Sequence, residues 1–247
     1  MNPEEYTRMY ELEDRYWWFV GRRTLALGLL RKYSHVATPK TLDLGCGTGV
    51  IFGKLKEVAD PVGFDFSRLA LQYCRKRGLE PIVQADAHHL PVQDNQFDAA
   101  ICLDVYEHLK DDSQALRETF RALRPGGILV LSVPALMALW GPHDVALHHF
   151  RRYTRSLMAS RLKAVGFEIE RLSYSVFFLF PIVIFIRFLE KRRKGEAKAS
   201  LPSVPDWMNR ALIGLQAFEA KLIESVPLPW GSSVVAVARK PIVEEAK

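Results

Sequence analysis

The feature that most constrains the fold is the segment TLDLGCGTG at residues 41–49, an apolar run that leads into alternating glycines. Its leucines read as buried strand positions, and Asp43 points to the opposite face. The glycines allow the backbone to approach a ligand closely, and they are Gly45, Gly47 and Gly49. The spacing is not the G-x-G-x-x-G of dinucleotide enzymes, because Val50 stands where its third glycine would fall. The segment therefore predicts a strand followed by a ligand-binding turn.

Strand-like and helix-like segments alternate along the chain. Strands are predicted at 40–45, 61–65, 81–85, 97–103, 127–133, 167–174 and 232–240. Helices are predicted at 3–33, from about 49, and at 67–77, 112–124 and 154–165. Arg-Pro-Gly-Gly at 124–127 is expected to end a helix and turn the chain into a strand. The alternation predicts an α/β fold, a doubly wound and mostly parallel sheet with helices on both faces.

Five segments, in order, resemble the shared motifs of class I S-adenosylmethionine-dependent methyltransferases, and the wider pattern resembles their type 11 group. They lie within residues 40–134 and are LDLGCGTG, VGFDFS, the Ala-Asp-Ala at 85–87, FDAAICLDVYEHL and RALRPGGILVLSVP. The resemblance implies a seven-stranded, Rossmann-like sheet whose last strand is antiparallel. It also implies an enzyme with S-adenosylmethionine as the methyl donor.

The resemblance assigns donor-binding roles to particular residues. The turn of Gly45, Cys46, Gly47 and Gly49 would meet the methionine portion, whose carboxylate the following helix N-terminus favours. Asp43 would orient that turn or meet the ammonium group, and Asp65 would accept hydrogen bonds from the ribose hydroxyls. In similar enzymes a WWF-x-x-RR segment caps the donor, so Arg22 or Arg23 would reach the methionine carboxylate.

The adenine and methyl ends of the donor are assigned in the same way. Phe66 would flank the adenine, and Asp86 with Ala87 would recognise its edge. Leu103 would line the pocket through its backbone.

Acceptor chemistry is predicted at histidines near the end of the fourth strand and after the fifth. A hydroxyl acceptor needs a base, and the candidates are Asp104, Glu107, His108, His143, His148 and His149. Of these, His108, His148 and His149 are taken as the catalytic residues, with structural packing or a helix cap as the alternative. Asp104, Glu107 and His108 imitate the ligands of the few metal-using methyltransferases. Because no matching fourth ligand is evident in the sequence, no metal is expected.

Basic charge is concentrated in one part of the chain. The formal charge is +6, yet residues 151–194 hold eleven Lys or Arg against three Glu. Within this part, 176–186 is uncharged and apolar, too short to span a bilayer, and is followed by Arg187, Lys191, Arg192, Arg193 and Lys194. We expect an interfacial helix on an anionic membrane, or alternatively a core helix under a lid formed by 205–225. Nucleic acid is not an expected partner.

The expected organisation is an N-terminal helical cap at 1–38, a core at 39–175 and 231–241, and a helical insertion at 176–230. Three scattered cysteines and an acidic N-terminus without a readable signal peptide favour the cytoplasm, with peripheral attachment to the inner membrane face. The expected activity is methyl transfer to an oxygen of an amphipathic or lipid-linked (glyco)lipid acceptor. The alternatives are a soluble enzyme acting on a small metabolite and a non-catalytic S-adenosylmethionine-binding module.

Overall fold

One sheet organises the protein, and the computed structural model describes residues 3–192 and 203–242 of it. In these residues the sheet has seven strands: β1 (Lys40–Leu44), β2 (Asp60–Asp65), β3 (Ile82–Gln84), β4 (Phe97–Leu103), β5 (Leu123–Pro134), β6 (Glu168–Ser175) and β7 (Ser233–Arg239). Their order across the sheet is β3-β2-β1-β4-β5-β7-β6. The predicted fold class is confirmed.

Helices connect most of these strands. The described residues contain α1 (Pro3–Leu12), α2 (Trp17–Tyr33), α3 (Val50–Leu55), α4 (Arg68–Lys76), α5 (Asp112–Ala122), α6 (Pro142–Ala146), α7 (Arg155–Val165), α8 (Phe180–Arg192) and α9 (Asp206–Ser225). Three helices, α4, α5 and α7, are capped at their N-termini by the side chain of the residue that precedes the helix. Each of these side chains accepts a hydrogen bond from a backbone N–H of the first turn, and the capping residues are Ser67, Asp111 and Thr154.

The strand directions define where a ligand can bind. β1 to β5 are parallel, whereas β7 is antiparallel to both β5 and β6, as the family resemblance implied. β1 pairs with β2 on one side and with β4 on the other, so the connections turn in opposite directions at β1. Ligands of open α/β sheets bind at such a switch point, beyond the carboxyl ends of the strands.

The start of β5 differs from the prediction. α5 ends at Ala122, two residues earlier than predicted, and β5 begins at Leu123, so the Arg-Pro-Gly-Gly segment lies within the strand, where its pairing with β4 is irregular. Arg124 precedes a proline, which disfavours helical backbone there. A side chain at Gly127 would come within 2.9 Å of the carbonyl oxygen of Arg124, so glycine is required where the chain bends into the sheet.

The segment between β6 and β7 contains two helices with different environments. α9 packs along α2 so closely that a Cβ on Gly21 would lie 2.6 Å from the Cβ of Gln216. α8, in contrast, exposes large apolar side chains: Ile182, Ile184, Phe185, Ile186 and Phe188. The alternative of a buried core helix is therefore wrong for α8. Among the described residues, no helix combines the length and apolarity needed to cross a membrane. Arg193 and Lys194 of the predicted basic cluster lie outside the described residues.

A buried carboxylate fixes the beginning of this segment. Glu219 on α9 accepts hydrogen bonds from the backbone N–H groups of Val176, Phe177 and Phe178, which follow β6 directly. Val176 has a positive φ of 62°, a conformation that a β-branched residue seldom adopts unless its surroundings impose it. Glu219 therefore attaches α9 to the point where the chain leaves the sheet.

We expect Glu219→Ala to lower the free energy of unfolding by about 1–3 kcal/mol, because buried N–H groups lose their acceptor. Urea unfolding monitored by circular dichroism measures the change. Lys221→Ala, an exposed change on the same helix, is the control and should stay within about 0.5 kcal/mol of the parent. Equal effects of the two substitutions would contradict the role of Glu219.

Candidate active site

The predicted donor residues lie around the carboxyl ends of β1, β2 and β4. The glycine turn follows β1 directly, and all three glycines have positive φ, at 73°, 55° and 95° for Gly45, Gly47 and Gly49. A Cβ at Gly45 would lie 2.2 Å from Val105, and one at Gly49 would lie 2.5 Å from Leu79. Backbone conformation and protein packing therefore both favour glycine at these two positions, and the predicted close approach of a ligand stays a prediction. At Gly47 the nearest atom is the Cε of Met9, at 3.6 Å.

Asp65 ends β2 and connects it to the glycine turn. Its Oδ2 accepts a hydrogen bond from the backbone N–H of Gly47 at 3.0 Å, and its Oδ1 accepts one from Ser67 at 2.8 Å. Burial raises the pKa of this carboxyl, although both hydrogen bonds lower it. Each oxygen keeps a further acceptor position, so the ribose role assigned to Asp65 fits this geometry.

Asp43 is a buried carboxylate on β1 without full hydrogen bonding. Its side chain is 2% exposed, and Oδ2 has no hydrogen-bond partner. Burial, and then the charge of Asp65, raise its pKa to about 8. A buried acceptor of this kind is costly unless a ligand pairs with it. The ammonium group of S-adenosylmethionine fits that need, and this agrees with the second of the two predicted roles of Asp43.

The residues assigned to the adenine lie at the outer end of the same crevice. Phe66 is 74% exposed, whereas Ala87 is buried. Asp86 accepts hydrogen bonds through Oδ1 from the backbone N–H of His88 and contacts the His88 ring nitrogen Nδ1 at 2.6 Å. Of the other assigned residues, Leu103 is half-buried at the end of β4 and Cys46 is buried beside Cys74.

Arg22 is already engaged in contacts with the protein. It forms an ion pair with Asp104, donates a hydrogen bond to Ser233 and lies 4.6 Å from the ring centre of Trp18. Burial lowers its pKa to about 10. The guanidinium thus lies against the residue that follows β4, and its predicted contact with the methionine carboxylate stays a prediction.

Two of the three candidate catalytic histidines are brought together. The ring centres of His108 and His149 are 4.6 Å apart in an edge-to-face arrangement. Burial, and then His149, lower the pKa of His108 to about 3, so this imidazole is neutral near pH 7 and a weak base. His148 is exposed, at a positive φ of 57°.

An acid that the sequence analysis did not single out orients His149. Asp144 is fully buried and its Oδ1 lies 2.9 Å from Nδ1 of His149. Arg152 holds the same carboxylate through two hydrogen bonds of 2.7 and 2.9 Å, and the backbone N–H of Gly141 donates a further one. The pattern Asp-x-x-x-x-His-x-x-Arg in DVALHHFRR could have indicated this group, but only with knowledge of the loop conformation.

Glu107 lies beside the two histidines. It is fully buried, and neither carboxylate oxygen has a hydrogen-bond partner. Burial raises its pKa to about 8, while the backbone N–H of Glu107 itself and the charges of Arg22 and Arg152 oppose that shift. The acidic residue expected to accompany it, Asp104, pairs with Arg22 instead.

Comparison with known proteins agrees with this geometry. Residues 42–131 match the model of a methyltransferase domain family. A Mycolicibacterium smegmatis protein named "Probable S-adenosylmethionine-dependent methyltransferase" is 31% identical over 168 residues, which are 64% of this chain and 62% of the relative. A ubiquinone biosynthesis O-methyltransferase of Xanthomonas oryzae is 29% identical over 158 residues, 56% of this chain and 66% of the relative.

The fold has solved counterparts. One is a chain in the complex between the Haloferax volcanii Trm112 methyltransferase activator and a methyltransferase. Its TM-score is 0.62 and its sequence identity is 18%, and the alignment covers 99% of this chain and 96% of that one. Residues 42–131 therefore belong to a class I S-adenosylmethionine-dependent methyltransferase domain, and S-adenosylmethionine is its cofactor. In three of the relatives, the region that matches this chain covers 44%, 62% and 40% of the relative's own length. The chain therefore spans less than two thirds of each of these relatives.

We expect Asp65→Ala to weaken S-adenosylmethionine binding by about 10–100-fold, the loss expected for hydrogen bonds to a charged acceptor. Gly47→Val should also weaken binding, since a β-branched residue opposes the left-handed φ of 55°. Isothermal titration calorimetry measures both. The control is Asp60→Ala, at the opposite end of β2, which should bind normally. Parental affinity in folded Asp65→Ala protein would refute the donor assignment.

Proposed function

We propose that this chain transfers a methyl group from S-adenosylmethionine to an oxygen of an amphipathic, lipid-linked (glyco)lipid acceptor at an anionic membrane surface. The observation that carries the proposal is the exposed apolar face of α8. The charge of Arg187 on α8 lowers the pKa of His143 on α6, an effect second only to that of burial. The ring of His143 in turn lies 6.4 Å from that of His149.

The donor half of the proposal rests on the crevice at the ends of β1 and β2. Asp65 would hold the ribose, Asp43 the ammonium group, and the turn at Gly47 the methionine chain, while Phe66, Asp86 and Ala87 would hold the adenine. When bound, the cofactor supplies an electrophilic methyl group on a cationic sulfur. The protein's contribution is to align the acceptor with it and to exclude water.

An oxygen acceptor is supported by the pair of Asp144 and His149. A carboxylate on Nδ1 leaves Nε2 of the imidazole as the free nitrogen, suited to accept the proton of a hydroxyl. Two relatives are named as ubiquinone biosynthesis O-methyltransferases, which also favours an oxygen. The neutral, weakly basic His108 would then be a packing partner of His149, not the base.

An amphipathic acceptor is supported by the apolar surface around α8. Beyond the helix itself, exposed aromatic side chains from neighbouring parts of this segment belong to Phe178, Trp207, Phe218 and Trp230. Exposed apolar patches on this scale mark binding surfaces, and interfacial helices place such side chains in the headgroup region. The net positive charge of residues 151–194 would favour anionic lipid.

We expect the full chain to float with vesicles that contain anionic phospholipid and to remain unbound with purely zwitterionic vesicles. Phe185→Glu should reduce the floated fraction several-fold, since it places a charge on the apolar face. Val36→Glu, a change at another exposed apolar residue, is the matched control and should float like the parent. If the parent chain does not float with anionic vesicles, the membrane part of the proposal is wrong and a lid on a soluble enzyme replaces it.

We further expect radioactive methyl from labelled S-adenosylmethionine to enter the organic-extractable lipid of membranes incubated with the protein. His149→Asn should lower the rate by about 10²–10⁴-fold, the range for loss of a general base, whereas His35→Asn, at an exposed histidine, should not. Label found only in small water-soluble products would favour the metabolite enzyme. Tight donor binding with no labelled product at all would favour the non-catalytic module.

A further inference from the structure

Three potential metal ligands converge on the acceptor side of the site. One ligand atom from each of Glu107, His108 and His149 lies within 4.8 Å of the other two. Two imidazoles and one carboxylate are a ligand set found in catalytic zinc sites and in other sites of first-row transition metals. A zinc ion is bound at Zn–N and Zn–O distances of about 2.0–2.2 Å, so its binding would draw the three atoms closer together.

The carboxylate of this group has no hydrogen-bond partner in another residue. Both oxygens of Glu107 are buried and without hydrogen bonds. The arginines whose charges act on it are engaged elsewhere, Arg22 with Asp104 and Arg152 with Asp144. A buried carboxylate with no hydrogen bond and no partnered cation is unfavourable, and a bound cation would remove that cost.

Both imidazoles are held in the manner of metal ligands. Histidines that bind metals usually donate their second ring N–H to a carboxylate or a backbone carbonyl, which fixes the tautomer and the ring orientation. Nδ1 of His149 lies 2.9 Å from Asp144, and the ring of His108 is hydrogen-bonded to the backbone of Leu147. Each ring therefore has one nitrogen engaged outside the cluster and one available inside it.

We propose that Glu107, His108 and His149 form a binding site for a divalent first-row transition metal, with Zn²⁺ as the best match to the donor set. Mg²⁺ and Ca²⁺ fit poorly, since they prefer oxygen ligands. Three protein ligands leave a coordination position for water or a substrate oxygen. With the metal bound, Nε2 of His149 is a ligand and no longer a base, and the metal lowers the pKa of a bound hydroxyl instead. That last role, unlike the binding itself, rests on the proposed function.

The binding is tested with metal alone, without donor or acceptor. The full chain, stripped by a chelator, is dialysed against Zn²⁺ and its metal content is measured; Co²⁺ then serves as a spectroscopic probe through its visible absorption. We expect about one equivalent of Zn²⁺, undisturbed by excess Mg²⁺, and a Co²⁺ spectrum typical of nitrogen and oxygen ligands at low coordination number. Less than a tenth of an equivalent in folded protein, or displacement by Mg²⁺, would overturn the proposal.

Two variants identify the ligands. Glu107→Gln keeps the shape of the side chain and should weaken Zn²⁺ binding on the order of 100-fold, as should His149→Asn. His35→Asn removes an exposed histidine elsewhere and should bind like the parent. S-adenosylmethionine affinity within about threefold of the parent shows that each variant is folded, and it separates failure of the metal site from failure of the donor assignment. Unchanged Zn²⁺ binding in both folded variants would refute the site.

Discussion

The buried carboxylate of Asp144 is the interaction on which the acceptor side of the site depends. It accepts hydrogen bonds from Arg152, from the backbone of Gly141 and, at its Oδ1, contacts the ring of His149. Burial alone would raise its pKa, yet these partners hold the pKa well below the usual range, so the group is ionised across the physiological range. Removing one partner of such a group leaves a buried charge uncompensated, typically at a cost of about 3–5 kcal/mol. The loop over the end of β4 is therefore fixed by charge and not by apolar packing alone.

The two sides of the crevice share an electrostatic property. Asp43 on the donor side and Glu107 on the acceptor side are both buried, both have unpartnered oxygens, and burial raises the pKa of each to about 8. Native proteins seldom leave such atoms unpaired outside functional sites. Each carboxylate would be stabilised by a cation, an ammonium group in one case and a metal ion in the other. Under this proposal, the site would bind two positively charged groups, one on each side of the methyl group that is transferred.

Much of the fold could be predicted from the sequence because its signals are local. Apolar runs bounded by glycine or acidic residues marked most of the strands, although not the largely polar β6, and the glycine spacing after β1 predicted the donor crevice. The start of β5 was missed, since Pro125 and Gly126 look like a helix stop while the strand pairing that begins at Leu123 is a long-range effect. Likewise His148 and His149 are equivalent in sequence, and only the backbone of the loop decides that one is exposed and the other faces His108.

Contacts between side chains that are distant in sequence could not be predicted either, because they also depend on long-range packing. Nothing in the sequence shows that Arg22, from α2, pairs with Asp104 after β4, because that contact depends on how the N-terminal helices pack on the sheet. The exposure of α8 is another such case. An apolar run followed by basic residues is compatible with a core helix or a surface helix, and the choice is made by where α9 lies: it occupies the groove along α2 and leaves α8 outside.

The segment between β6 and β7 is anchored at both of its ends. The segment between β6 and β7 leaves and rejoins the sheet at a tight neck, where a Cβ on Gly231 would lie 2.1 Å from the carbonyl oxygen of Ser175. Glu219 holds the residues that follow β6, and Phe177 stacks on Trp230 with ring centres 5.3 Å apart. Both ends of the segment are therefore held close to the sheet. A segment anchored in this way suits the docking role that we propose for α8.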